Sequence, residues 1–307
     1  MTCSYNRVKG CGSLSPRANT FDSLWLQCIS LSGFRIFPEK ESALVPSYHR
    51  PASIDEALRL KADLGPAAVF LAGGTEVNNH GSARAEALID LAGLGLDTIQ
   101  PSPEGLRIGA GGTFQQIVEH PDTPWYLEAA ALQMANRNIR NRATVGGHLA
   151  VNRSCADLIP VLLAAEARVA LVDREVALED FLCGQQGLIL SVLVPMTARG
   201  FGLGNMTRTA ADISIVAVAA SLNLDGECLR QPVLAVGGVA AHVVRLHDVE
   251  RALDGSPLPT RENLESLVSQ AVHPIDDHRG SAAYKRHIAS VLAGRALADA
   301  VRRLVIR

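Results

Sequence analysis

Two glycine pairs, each close to a threonine, are the residues of this sequence whose types best fit phosphate binding. The first ends an apolar run in Ala72-Gly73-Gly74-Thr75, and the second lies in Thr144-Val145-Gly146-Gly147-His148. Glycine has no Cβ, so its backbone N–H can come within hydrogen-bonding distance of a phosphate, and a hydroxyl beside it adds a donor. Two such turns from separate segments could clamp a pyrophosphate from both sides. The alternative interpretation is two ordinary tight turns, because glycine pairs are common.

Charged residues around the second glycine pair have two interpretations each. Asp157 is expected either to cap a helix that begins at Leu158 or to hold a ribose or an adenine edge. Three arginines in NRNIRNR, residues 136–142, form either a solvated face or a source of positive charge for phosphate. His148 is either a polar loop residue or a flavin contact. These residues favour a binding site over a catalytic one.

The sequence lacks the common signatures of self-sufficient catalysis. GxGxxG after a strand and GxxxxGK[ST] are absent, and no carboxylate pair, Ser/His/Asp set or metal-binding histidine cluster has a telling spacing. The six cysteines have no CxxC spacing, which argues against a zinc or iron–sulfur site and favours free thiols in a reducing cytosol. The sequence therefore predicts a cytoplasmic protein that binds a phosphorylated cofactor, and the cofactor supplies the chemistry.

Composition is that of a globular protein with a substantial core. The chain has 307 residues, 48% of them hydrophobic and 20% charged, with a net charge of −2. This near-neutral balance argues against nucleic acid as a partner. No uncharged apolar stretch reaches the length of a membrane span, and the first residues lack the pattern of a signal peptide. Neither a membrane nor a nucleic acid is therefore expected as a partner.

The elements that must position these residues form an α+β pattern. Capping boxes at Ser53 and Thr113 predict two helix starts, and residues 67–72 read as a buried strand before the first glycine pair. A helix is expected over residues 157–167. Two long strands are expected around the Asp225-Gly226 turn. Helices and strands do not alternate regularly, so a βαβ repeat is not expected.

Three regions are predicted along the chain. Residues 1–42 are expected to form a poorly ordered extension, because they show no clear periodicity. Residues 43–203 are expected to form the domain that holds both glycine pairs, and residues 204–307 a smaller second domain. The boundary is placed in the glycine-rich segment RGFGLGNM, residues 199–206.

Several segments, in order, resemble the FAD-binding subunit of molybdenum hydroxylases, the family of the xanthine dehydrogenase and carbon monoxide dehydrogenase medium subunits. In the first domain the resemblance rests on FLAGGTEV, IRNRATVGGHLAVNRSCADLIPVLLAAEARVAL, REVALEDFL and LSVLVP. In the second it rests on RTAADISIVAVAA, VGGVAAHVVRLHDVERALDG and DDHRGSAAYKRHIASVLAGRAL. Each motif is weak alone, but the combination is specific. It implies a two-subdomain FAD-binding domain (PCMH-like) followed by a smaller α+β C-terminal domain.

The resemblance also implies which residues hold FAD. The segment 70–77 would wrap the FAD pyrophosphate, and the segment 144–148 would pack on the other side of the phosphates and the flavin. Asp157 would hold the adenosine end of FAD. Ile189 or Leu190 would cover the isoalloxazine ring. The implied FAD contacts are Phe70, Leu71, Ala72, Gly73, Gly74, Thr75, Glu76, Val77, Thr144, Val145, Gly146, Gly147, His148, Asp157, Ile189 and Leu190.

The implied activity is an electron relay. Electrons would come from a molybdopterin-binding large subunit through the [2Fe–2S] clusters of an iron–sulfur subunit to FAD, and then pass to NAD⁺ or another acceptor. The family often has a lysine near Gly204 or Asn205, and this sequence has none there. Two alternatives stay open: a stand-alone FAD-dependent oxidoreductase, and a divergent interaction subunit without catalysis.

Overall fold

A computed structural model describes residues 47–77, 85–210 and 212–305 of the chain. These residues belong to one compact unit that spans Val45–Arg307. The extension predicted over residues 1–42 lies outside the described residues. Three β-sheets with their helices make up the described part, which agrees with the predicted α+β class.

The first sheet has three parallel strands in the order β1-β3-β2. Its elements are β1 (Ser47–His49), α1 (Ile54–Leu64), β2 (Ala68–Leu71) and β3 (Ala87–Asp90). As expected, Ser53 begins α1, because its side chain accepts a hydrogen bond from the Glu56 amide. A small core of Ala57, Ala68, Ala87 and Ile89 lies between the helix and the sheet. Because the strands are parallel, their carboxyl ends meet at one edge of the sheet.

The second sheet has five antiparallel strands in the order β4-β5-β8-β6-β7. Its strands are β4 (Ile99–Ser102), β5 (Gly105–Gly109), β6 (Arg168–Leu171), β7 (Glu175–Ala177) and β8 (Ile189–Pro195). The helices between them are α2 (Phe114–Glu119), α3 (Trp125–Gln133), α4 (Arg137–Arg140), α5 (Val145–Val151), α6 (Ile159–Ala164) and α7 (Leu178–Leu182). Thr113 and Gln116 form the predicted capping box at α2.

The third sheet has four antiparallel strands in the order β12-β11-β10-β9. Its elements are β9 (Gly200–Met206), β10 (Val216–Asp225), β11 (Cys228–Gly237), β12 (Val244–Arg245), α8 (His247–Leu253), α9 (Arg261–Ala271) and α10 (Ala282–Val305). The predicted hairpin around Asp225 and Gly226 is present as β10 and β11. Helix α10 packs along β9 and β10.

The glycine-rich segment 199–206, in which the domain boundary was placed, forms strand β9 from Gly200 to Met206. A Cβ on Gly202 would lie 1.8 Å from the carbonyl oxygen of Ala296, so glycine lets α10 lie directly on β9. The predicted domain boundary between residues 203 and 204 therefore falls inside a strand. The boundaries themselves stay predictions.

Aromatic contacts join helix α3 to the elements of the third sheet. The ring of Tyr126 stacks on that of Phe201, with 3.8 Å between centroids. The guanidinium of Arg303 lies 3.7 Å from the ring centroid of Trp125. Helix α3 is thereby fixed to β9 and α10. Among the described helices, none is long and apolar enough to cross a membrane.

Candidate functional site

A cavity of about 700 Å³ lies between the first two sheets. This volume is typical of small-molecule and cofactor sites. The first sheet and the segment that follows it supply Tyr48, Phe70, Leu71, Ala72, Gly73, Asp90, Leu91, Ala92, Leu96 and Asp97. The second sheet and its helices supply Ala110, Gly111, Thr113, Gln116, Asn141, Arg142, Thr144, Gly146, Gly147, Ala150, Gly187, Leu188 and Ile189.

Gly73 of the first glycine pair and both glycines of the second pair, Gly146 and Gly147, line this cavity. Gly73 packs on the backbone that leads into the second pair, because a Cβ on it would lie 1.6 Å from the Arg142 carbonyl oxygen. Gly74 has a φ of 76°, a conformation that glycine adopts without strain. The sharp turn after β2 is therefore built by glycine for contact between two protein segments as well as for any ligand.

The second glycine pair forms the first turn of helix α5, not an isolated turn. The side chain of Thr144 caps this helix by accepting a hydrogen bond from the Gly147 amide at 3.2 Å. The Gly146 amide donates to the Ala110 carbonyl at 2.8 Å. Both glycine amides thus have protein partners, which leaves the hydroxyl proton of Thr144 as a donor that can face the cavity.

Val145 and His148 do not line the cavity, and His148 is half-buried. Val145 is fully buried. The His148 ring lies edge-on to Phe114, with 5.1 Å between centroids, and its Nε2 atom is buried with no hydrogen-bond partner among the described residues. Burial lowers the pKa of His148 to about 4, so the ring is neutral at pH 7. Neither residue is a lining residue of the cavity.

Asp157 lies apart from the glycine pairs, beside a second pocket of about 190 Å³ that also touches Gly204 and Asn205. Its carboxylate accepts a hydrogen bond from the Ser214 hydroxyl at 2.5 Å. Burial raises its pKa to about 6, opposed by the Ser214 hydrogen bond and the charge of Arg279. The predicted capping role is wrong, because α6 begins after Leu158 and has no side-chain cap within the described chain.

Only one of the two residues predicted to cover the isoalloxazine ring lines the cavity. Ile189 opens β8 and is a lining residue of the cavity. Leu190 is not among the lining residues, and its carbonyl accepts a hydrogen bond from the Ala110 amide at 2.9 Å. Successive strand residues face opposite sides of a sheet, which explains why only one of the two lines the cavity.

The polar tail of the first glycine turn does not line the cavity in the described part of the chain. Glu76 forms an ion pair with Arg153, which lies just after α5. Gly74, Thr75 and Val77 are likewise absent from the cavity's lining residues. Residues 78 and 79, which complete this polar tail, lie outside the described residues.

The three arginines before the second glycine pair have different surroundings. Arg137 forms an ion pair with Glu119, and Arg140 donates to Gln115 at 3.0 Å and to the Met134 carbonyl at 3.1 Å. Arg142 lines the cavity. One of the three thus stands where it can balance phosphate charge, and the other two support the helices around it.

Tyr48 and Asp90 line the cavity, and sequence reasoning missed both. The Tyr48 hydroxyl donates a hydrogen bond to the Asp90 carboxylate, and the Ala92 amide donates to the same group at 3.0 Å. The available signal was a strand, ALID, that ends in a buried acid. Within the described residues, no group of three or more His, Cys, Asp or Glu side chains could hold a metal ion.

Family models match most of the chain. The FAD binding domain in molybdopterin dehydrogenase matches residues 40–197, and the CO dehydrogenase flavoprotein C-terminal domain matches residues 203–300.

This chain aligns with similar proteins and with a solved structure over nearly the whole length of each. The uncharacterised protein YgfM of Escherichia coli K12 is 32% identical over 260 residues, with 83% of this chain and 96% of YgfM covered. The xanthine dehydrogenase FAD-binding subunit of E. coli O157:H7 is 31% identical over 280 residues, with the same coverage. A carbon monoxide dehydrogenase structure from Hydrogenophaga pseudoflava aligns with a TM-score of 0.77 at 28% identity, covering 84% of this chain and 97% of that one.

Proposed function

This chain belongs to the FAD-binding subunits of molybdenum hydroxylases, an oxidoreductase family with FAD as the cofactor, and we propose that it relays electrons from the [2Fe–2S] clusters of a partner subunit through FAD to NAD⁺ or another acceptor. The predicted family, the two-domain fold and the FAD cofactor are confirmed. The direction of electron flow, the acceptor and the partner subunits belong to the proposal.

One observation carries the proposal: Gly73, Gly146 and Gly147 line the large cavity together, where Gly73 contacts the Arg142 carbonyl. The groups present fit a dinucleotide. Arg142 offers positive charge and Thr144 a hydroxyl donor for a pyrophosphate, and Phe70 and Ile189 offer apolar surface for planar rings. When bound there, FAD supplies the redox chemistry, and the chain binds and orients it.

The individual FAD contacts are part of the proposal. Those that line the cavity are Phe70, Leu71, Ala72, Gly73, Thr144, Gly146, Gly147 and Ile189. The remaining predicted contacts lie outside its lining and stay predictions: Gly74, Thr75, Glu76, Val77, Val145, His148, Asp157 and Leu190. Asp157 would reach FAD only from the smaller pocket.

Partners are inferred from the relatives' own names. The similar proteins include a nicotine 6-hydroxylase medium subunit and a 6-hydroxypseudooxynicotine dehydrogenase complex subunit alpha, both of Paenarthrobacter nicotinovorans. We infer an iron–sulfur subunit and a molybdopterin-binding large subunit as partners of this chain, in the cytoplasm. The acceptor is NAD⁺ or another oxidant. Where the family often has a lysine, Asn205 donates to Gln133 Oε1 at 2.7 Å.

The proposal is tested by isolating the tagged chain from its own host. Expected results are a yellow protein that releases FAD on denaturation, with iron and molybdenum in the same peak of a sizing column. Addition of the complex's substrate should bleach the flavin band, and addition of NAD⁺ should restore it with formation of NADH.

Two other outcomes would replace the proposal. A yellow chain without iron or molybdenum, which reacts with substrate alone, would identify a stand-alone flavoprotein. A colourless chain that gains no FAD on reconstitution would identify an interaction subunit without catalysis.

A further inference from the structure

One wall of the large cavity carries rings and carboxylates instead of phosphate donors. Tyr48 lies on β1, Phe70 on β2, and Asp90 ends β3, and all three line the cavity. Their strands are parallel neighbours, with β3 in the middle. This wall is therefore built by the common edge of one sheet, where parallel strands usually present ligand-binding side chains.

Tyr48 and Asp90 form a fixed pair on this wall. Asp90 is only 7% exposed, and it holds the Tyr48 hydroxyl and the Ala92 amide with its two carboxylate oxygens. Arg50 also pairs with Asp90, at 3.9 Å from the oxygen that accepts from Tyr48. Tyr48 itself is 58% exposed. The hydroxyl is thus anchored while the ring stays open to a partner. The hydrogen bond to Asp90, followed by burial and the charge of Asp90, raises the pKa of Tyr48, so the phenol remains a donor.

The charge of this wall selects the part of a dinucleotide that fits it. Asp90 and Asp97 both line the cavity, and Arg50 pairs with Asp90 at 3.9 Å. Two carboxylates against one guanidinium leave this wall negative, and carboxylates repel phosphate. Carboxylates beside the isoalloxazine ring would also disfavour its reduction, because reduction adds negative charge to the ring. Adenine and ribose stay neutral, and their amino and hydroxyl groups donate hydrogen bonds. Aromatic rings with nearby acceptors therefore suit adenosine better than the flavin or the pyrophosphate.

We propose that Tyr48 and Asp90 form the adenosine subsite of the FAD cavity, with the Tyr48 ring stacked on adenine and Asp90 as the positioning residue that holds the ring. This inference rests on the proposed function. It differs from the role expected for Asp157, which lies beside the other pocket.

Binding of FAD, ADP and FMN to the FAD-free full chain tests this assignment by calorimetry. Removal of the ring in Tyr48→Ala should weaken both FAD and ADP about tenfold, the size of a lost aromatic–base stack, and leave FMN unchanged. Tyr284→Ala removes a tyrosine of α10 that is 40% exposed, and it should change none of the three affinities.

A double-mutant cycle separates positioning by Asp90 from a structural role. Asp90→Asn should weaken FAD in the presence of Tyr48 but add nothing in a Tyr48→Phe background, where the hydroxyl is gone. A purely structural effect of Asp90 would weaken FAD equally in both backgrounds and would lower the melting temperature of the FAD-free chain in parallel.

The outcomes distinguish this inference from the function itself. A wild-type chain that fails to bind FAD would refute the proposed function and this inference with it. Two results would overturn the adenosine assignment alone, in a wild-type chain that binds FAD normally. The first is a loss of FMN affinity in Tyr48→Ala. The second is a loss of ADP affinity in Asp157→Asn but not in Tyr48→Ala.

Discussion

Gly73 lies so close to the carbonyl oxygen of Arg142 that a Cβ on residue 73 would be 1.6 Å from that oxygen. Glycine at this position is therefore required by the contact between two protein segments, before any ligand is considered. The same contact brings the first glycine pair to the backbone that leads into Thr144 and helix α5. If FAD binds at this cavity as proposed, its binding depends on a protein junction that only glycine permits.

We expect Gly73→Ala to destabilise the chain and to weaken FAD binding together. The added methyl group must push the Arg142 backbone away, and overpacking of this kind costs about 1–3 kcal/mol. The displaced backbone carries Arg142 and Thr144, so the cavity wall should move with it. Thermal unfolding of the FAD-free chain and FAD titration measure the two effects.

Gly93→Ala is the matched control for this variant. A Cβ on Gly93 would meet the Arg50 side chain at 3.8 Å, which is an ordinary contact. Its stability and FAD affinity should match those of the wild type. A Gly73→Ala chain that behaved like Gly93→Ala would show that the junction yields easily and that glycine is not required there.

Loss of the Thr144 hydroxyl should affect stability and cofactor binding separately. Thr144→Val removes the cap of helix α5, which costs about 1 kcal/mol, and removes the hydroxyl donor proposed for the pyrophosphate. FAD affinity should fall several-fold beyond what the loss of stability explains. Thr144→Ser keeps the hydroxyl and should restore FAD affinity.

Thr260→Val provides the comparison. Thr260 caps helix α9 in the same way, by accepting from the Asn263 amide, and it is not among the residues that line the cavity. Its loss should cost similar stability and leave FAD affinity unchanged. Equal FAD affinities in Thr144→Val and Thr260→Val would remove Thr144 from the site.

Much of the fold and part of the site could be predicted from local sequence. Both N-terminal caps, the long hairpin and the two glycine pairs are local signals, and the family motifs place them in order. The sequence indicated a close approach at the glycines but not which group approaches them. A glycine pair looks the same whether a ligand or a carbonyl oxygen approaches it, and Arg142 is far from Gly73 in sequence.

The residues that sequence reasoning missed or misread depend on contacts between distant segments. Asp157 looks like a helix cap, but Ser214 of a later segment engages its carboxylate instead. Tyr48 and Asp90 sit in short strands with no motif, and parallel pairing brings them together. The packing role of Gly202 has no local signal, because the helix that packs on it comes near the end of the chain.

His148 should make the chain less stable as the pH falls from 6.5 to 4. Its pKa is lowered to about 4 by burial, from 6.5, so the unfolded chain takes up a proton first. Stability contributed by the neutral ring is present above pH 6.5 and lost as the pH drops towards 4, by about 3 kcal/mol. Denaturant unfolding of the FAD-free wild type and His148→Leu should show a stability difference that shrinks across this range. Parallel curves would mean that the ring takes up a proton in the folded chain.

Asp157 should act in the opposite direction. Its folded pKa of about 6 lies above the ordinary 3.8, so the folded chain holds the proton more tightly than the unfolded chain. The stability that this provides is present below pH 3.8 and is lost as the pH rises to 6, by about 2 kcal/mol after allowance for its partial exposure. Asp157→Asn keeps an acceptor for Ser214 and should remove this loss.

Ser214→Ala sharpens the measurement on Asp157. The Ser214 hydrogen bond lowers the pKa of Asp157 against the effect of burial, so its removal should move the titration to higher pH. Because His148 and Asp157 have opposite slopes over nearly the same range, the wild-type stability curve should be flatter than either single variant's. A Ser214→Ala curve that shifts to lower pH would show that the Ser214 hydroxyl raises the pKa of Asp157 instead of lowering it. An Asp157→Asn curve with the wild-type slope would show that the pKa of Asp157 is not raised in the folded chain.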